Sequence, residues 1–182
     1  MKKTKWILDP THSELGFKIR HLMITNVSGS LTKFLVMAET EGEDFNTANI
    51  NVTADMSSIS TNNEQRDGHL RTSDFFEVEK YPEMQFLSRR VEDADDNTYI
   101  MHGELTLKGV TKPIQLNVEY SGVTKDPWGT ERVGFTITGK IKRSEFGVNF
   151  NSVLESGNVA LSEEVKINAE IQLVKEAVPV LA

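Results

Sequence analysis

The sequence predicts an all-β chain whose antiparallel strands close on themselves, as a barrel or a sandwich, around one short helical insert. Three observations carry this. Roughly seven to nine segments alternate apolar with polar residues, the period-two signature of half-wet strands. No long amphipathic helix is available to cover the apolar faces, so the sheet must bury its dry face against itself. Only Thr61 to Phe86 fails to read as strand, turn, strand. At about eight strands a barrel interior is either just filled by side chains or just wide enough for one small ligand.

The elements follow in order. Trp6–Leu8 is a short strand ended by the Asp9-Pro10 turn. In His12–His21, Leu15, Phe17 and Ile19 share one face, and Glu14, Lys18 and Arg20 the other. Val27–Ala38 reads as one strand, irregular at Gly29, and Glu39–Asn46 as a solvated acidic loop. Ile50, Val52, Ala54 and Met56 alternate into the insert, where Thr61 and Glu64 form a capping-box pattern for a helix over Asn62–Leu70. Asp74 and Glu77 signal a second helical start around Phe75 and Phe76, which Pro82 stops. Asp67 and Arg71, four apart, would form a surface ion pair.

Beyond the insert, Met84 and Phe86 share a face, and Glu92–Asn97 is a second acidic turn. Tyr99, Met101, Gly103, Leu105 and Leu107 make the dry face of the next strand. Lys108-Gly109 turns it into a return strand bearing Ile114, Leu116, Val118 and Tyr120, with Pro113 at its start. Asp126–Gly129 is a turn before Phe135, Ile137, Gly139 and Ile141. Asn149–Leu161 is polar and loop-like. Val165, Ile167, Ala169, Ile171 and Leu173 line the last strand, and an apolar tail over 177–182 would pack on an edge. Gly103, Gly139, Ala54 and Ala169 interrupt large residues on the dry faces. They mean either a tapering core or room for a guest.

Composition removes several classes of function. The 182 residues fit one domain spanning 1–182. A formal charge of −7 and a pI near 5.2 argue against nucleic acid, whose phosphates need Lys and Arg. Without cysteine there are no disulfides and no thiolate chemistry. His12 and His21 have opposite parity and cannot converge on a metal, which needs three or four ligands. The apolar run after Lys5 is too short for a signal peptide, and no stretch approaches a membrane span, so the expected location is cytoplasmic. Ser, His and Asp cluster only in Asp67–Asp74, without the geometry of a triad, and no phosphate-binding glycine loop occurs. No catalytic residue and no metal ligand is assigned.

Four stretches resemble one family. RDGHLRTSDFFEVEKYPEMQF is similar to the central signature of the YceI-like family of polyisoprenoid-binding proteins. DPTHSELGFKIRHLM resembles its opening pattern, GELTLKGVTKPI its hairpin motif, and Arg143-Ser-Glu-Phe-Gly147 its R-x-[DE]-[FW]-G. Gly68 stands where relatives more often carry alanine. The resemblance implies a lipocalin-like antiparallel barrel that holds a long isoprenoid lipid, and suggests a homodimer; no cofactor is expected to be required, and an isoprenoid quinone is a further candidate for the bound lipid.

On that reading the interior takes Phe17 and Ile19, then Phe34, then Phe86 beyond the insert. Leu105 and Leu116 join from the hairpin, Phe135 and Ile137 from the next strand, and Ile167 and Ile171 from the last. Phe75 and Phe76 would close one end. His21, His69 and Arg71 are the candidates for polar contact with a lipid head group. Two rivals stand beside carriage: an enzyme acting on a lipid in the barrel, with His21 as its visible acid–base candidate, and a solid, ligand-free interaction module.

Overall fold

The computed structural model describes residues 2–22, 24–151 and 160–176. Among these, eleven strands and one α-helix form a closed antiparallel barrel of eight staves. The arithmetic is explained by kinks. β1 (Lys3–Leu8) and β2 (Glu14–His21) are two halves of one stave, bent at a 3-10 turn over Pro10–His12. β3 (Thr25–Leu31) and β4 (Phe34–Glu41) are halves of the next. β5 (Asp44–Asp55) runs through a second 3-10 turn into the two-residue β6 (Ile59–Ser60).

After α1 (Glu64–Leu70) come β7 (Glu83–Asp93), β8 (Thr98–Leu107), β9 (Val110–Lys125), β10 (Glu131–Lys142) and β11 (Leu161–Lys175). β11 closes the ring by pairing with both halves of the first stave: Leu173–Lys175 with β1, and Leu161–Glu170 with β2. No helix among the described residues is long and apolar enough to cross a membrane.

The bend between β1 and β2 explains the polar residues of DPTHS. Asp9 caps the turn, accepting from Thr11 and His12; Ser13 Oγ donates to the Asp9 carbonyl and accepts from the Gln172 amide of β11. Arg132 of β10 spans two carboxylates, Asp9 Oδ2 at 2.7 Å and Asp126 Oδ2 at 2.8 Å. The hydrogen bond from His12, then those from Thr11 and Arg132, hold the Asp9 carboxyl well below the usual carboxylate range. Arg132 likewise lowers Asp126.

A carboxylate depressed in the fold stabilises it above the unfolded pKa, about 3.9 for Asp, and the gain disappears as pH falls through the folded value. The urea midpoint is therefore expected to be flat above about pH 5 and to fall below about pH 4. Arg132→Met should make that acid limb shallower without abolishing it, since His12 and Thr11 still hold Asp9; an unchanged limb would mean the latch does not contribute.

Several expectations are corrected. The stretch Val27–Ala38 is two strands, because the chain turns at Thr32-Lys33, where the Thr32 and Lys33 amides donate to Ser58. Glu39–Asn46 is a hairpin rather than a loop, reversing at Gly42 (φ +60°). Pro113 lies inside β9, on the stretch beyond Leu116 where the β10 register has ended and no amide is required.

In the insert, Asn63 rather than Thr61 caps α1, accepting from Arg66 N at 3.0 Å. Thr61 is buried, and both its amide and its hydroxyl donate to Asp67 Oδ1, at 2.8 and 2.6 Å. Asp67 is thus a buried acceptor, not half of a surface ion pair. Arg71 instead donates to the carbonyls of Ser57 and Ile59. The stretch around Phe75 and Phe76 is a series of turns, with the Phe76 amide on Leu70 O, rather than a second helix. Of the Asn149–Leu161 loop, residues 152–159 lie outside the described residues, as does the tail 177–182.

Candidate ligand-binding site

The inward side chains pack solidly at one end of the barrel and enclose a cavity further along. At the β1 end the barrel is solid: Trp6 and Val133 are at most 1% exposed and do not reach the cavity. Trp6 Nε1 donates to Thr40, and the Trp6 ring meets Phe45, which packs in turn on Tyr120 and Phe135 at centroid distances of 5.1 to 5.5 Å. Towards the other end, Phe17, Ile19, Ile137, Ile141 and Ile167 point inward yet are only half-buried. They line a cavity of about 470 Å³. Ligand sites commonly measure about 300–1,000 Å³.

The twelve residues predicted for the interior all line this cavity, including Phe75 and Phe76 from the insert. The small-residue signal is divided. Ala54 and Ala169 are buried inward, and Ala169 lines the cavity. The glycines instead seat their neighbours: a Cβ on Gly103 would lie 2.4 Å from Phe86 Cζ, and one on Gly139 would lie 2.6 Å from Leu116 Cδ2. Those two positions are packing, not spare room.

The wall is mostly apolar, with Tyr99 towards the β1 end, and its other polar side chains, His21, Thr61, Arg66, His69, Arg143 and Asn151, gather at the insert end. Two of the three head-group candidates are therefore on the cavity, His21 and His69. Arg71 is not, because its guanidinium is spent on the strand carbonyls of Ser57 and Ile59. His69 Nε2 pairs with Asp74 Oδ2 at 2.8 Å, and its ring stands edge-on to Phe75 and Phe150, each at 5.0 Å. Asp74, which the sequence explains as a cap, is here the partner of a cavity histidine.

Sequence reasoning missed Arg66 and Arg143. Arg66 bonds the Thr61 hydroxyl and carbonyl. Arg143, 7% exposed, donates to the carbonyls of Ser162, Val148 and Phe150, tying β11 to the segment that ends at Phe150. Burial lowers its pKa, opposed by Glu163, and a guanidinium nevertheless remains charged at neutral pH. Both arginines thus place positive charge at the insert end, where the partners described are neutral oxygens.

Three of the four sequence motifs meet here. Lys108 (φ +51°) and Gly109 (φ +75°) form the two-residue turn between β8 and β9. Lys108 Nζ reaches the carbonyls of Ser73 in the insert and Gly147 in the R-x-[DE]-[FW]-G segment, at 3.4 and 3.3 Å. Tyr81 lies on Gly109, where a Cβ would stand 2.7 Å from its ring. Gly147 (φ +75°) ends the 3-10 turn whose Phe146 is 1% exposed. The hairpin thus holds the insert down over the barrel.

A closed eight-stave antiparallel barrel, solid at one end and hollow with an apolar wall towards the other, is a lipocalin-like architecture. The family model for the YceI-like domain matches residues 6–173. The chain belongs to the YceI-like family. A UPF0312 protein of Staphylococcus aureus (strain USA300) is 38% identical over 170 residues, covering 93% of this chain and 96% of the relative. The crystal structure of the Campylobacter jejuni YCEI protein aligns with a TM-score of 0.76 at 35% identity, covering 93% of this chain and 97% of that one. A polyisoprenoid binding domain from Saccharophagus degradans shares the fold with a TM-score of 0.61 at 20% identity, over 95% of this chain and 98% of that one.

Proposed function

We propose that the barrel takes up a long-chain isoprenoid, or a related amphiphile such as an isoprenoid quinone, for sequestration, storage or transport. The carrying observation is the cavity of about 470 Å³, whose wall is mostly apolar, with its charged and imidazole side chains gathered at the insert end. Each methylene removed from water gains about 0.8 kcal/mol. A bilayer offers nearly the same gain, so loading is an exchange between two apolar phases, decided by cavity shape and the polar contacts. On this reading the head group meets His21 and His69, with Arg66 and Arg143 adding positive charge. The name of the S. degradans neighbour supports an isoprenoid in particular.

Titration with a fluorescent polyprenol analogue tests the proposal: saturable uptake of one molecule per chain is expected, and no uptake contradicts it. Phe76→Ala, which opens the insert where Phe76 lines the cavity, should speed release of the analogue to acceptor vesicles several-fold. Because Phe76 is only half-buried, the stability cost should fall below the roughly 3–5 kcal/mol of a core Phe→Ala change.

The His69–Asp74 pair favours a second reading, in which the bound lipid is converted by acid–base chemistry at the barrel mouth. Lipid returned altered by the native protein but unaltered by His69→Gln protein would favour that reading over carriage.

A further inference from the structure

The β2–β3 turn sits at the insert end of the cavity. His21, the last residue of β2, lines the cavity and pairs with Leu161 of β11, while the Leu22 amide donates to Ala160, another lining residue. From this turn Ile24 projects with 73% of its surface exposed, and Leu22, at φ +55°, with 37%. Phe150, which lines the cavity beside His69 and Phe75, is also 37% exposed. Three large apolar side chains are therefore exposed at this end of the barrel, two on the turn and one, Phe150, on the cavity lining itself.

From Leu15 to Leu31 the hairpin contains Lys18, Arg20 and His21 and no carboxylate, although the whole chain carries −7. Glu163 and Glu164 flank it on β11. The hairpin's own charge is thus largely offset by its strand neighbour, and its exposed tip is apolar. Protruding tips of this kind enter the soft boundary between head groups and acyl chains.

We propose that this rim, Leu22, Ile24 and Phe150, docks the barrel mouth-down on a phospholipid bilayer, so that a lipid passes between membrane and cavity without crossing water. The proposal rests on the lipid-carrier reading. Docking is apolar, so it extends to zwitterionic membranes and survives salt.

The test is flotation of the full chain with phosphatidylcholine vesicles at low and high salt. The native protein is expected to float at both. Ile24→Asp, at an exposed position, should float about tenfold less, the effect of losing one buried aliphatic side chain. Trp128→Ser should float like the native protein, since Trp128, 85% exposed, lies in the β9–β10 turn at the solid end. Ile24→Trp should show an emission blue shift when vesicles are added. A native protein that does not float, that floats only at low salt, or that floats equally as Ile24→Asp overturns the proposal. Lipid content measured on the same preparations separates the two claims. Lipid-filled protein that ignores vesicles refutes docking alone, whereas protein that floats but never contains lipid refutes carriage and leaves the docking rim standing.

Discussion

Gly103→Leu is expected to unfold the barrel, or to lower its stability by more than the roughly 1–3 kcal/mol typical of core overpacking. The new Cβ alone would sit 2.4 Å from Phe86 Cζ and 2.5 Å from the Leu87 carbonyl oxygen of the paired strand. The ring could rotate; the carbonyl belongs to the β7–β8 ladder and cannot move without breaking it. Thermal or urea unfolding of the variant measures this directly. A Gly103→Leu protein as stable as the native one would show that β7 and β8 lie farther apart than described.

Ala169→Phe should behave in the opposite way. Ala169 is 4% exposed, paired with Ile137 on one side and Leu15 on the other, and its methyl faces the cavity. A phenyl ring there enters open space among apolar side chains instead of atoms already in place. Stability should change by less than about 1.5 kcal/mol, because little must be displaced. Lipid capacity should fall sharply, since the ring occupies the volume a guest would use. Folded Ala169→Phe protein with an unchanged lipid load would move the guest out of the barrel. The two variants add similar bulk on inward faces of the same barrel, and only the local space distinguishes them.

That contrast shows how far the sequence could be read. Parity along β2, β5, β8, β10 and β11 placed the inward residues, because period two holds wherever a strand pairs regularly. Parity failed where the ladder slips. Between Glu39 and Glu41 of β4 the partner on β5 advances from Asn49 to Asp44, so Phe45 faces the interior from what reads as an acidic loop. No alternation could have placed it.

Sequence also could not separate a small residue that leaves space from one that receives a ring, and Gly103 and Ala169 fall on opposite sides of that line. The polar part of the site was least legible. The His69–Asp74 pair, the Thr61–Asp67 bonds and the carbonyl cradle of Arg143 join residues through turns rather than through a helix or strand period. The motif matches marked those residues without showing their partners. Lys108, which ties three motifs together, looked like a turn residue only.

The central claim, that the hollow end of the barrel holds an isoprenoid-type lipid, is tested most directly by organic extraction of gently purified, detergent-free protein followed by mass spectrometry. The account predicts one prenyl-chain amphiphile per chain, depleted in Ala169→Phe protein prepared alongside. Extracts without lipid, from native protein that also fails to take up a polyprenol analogue when one is supplied, would contradict it.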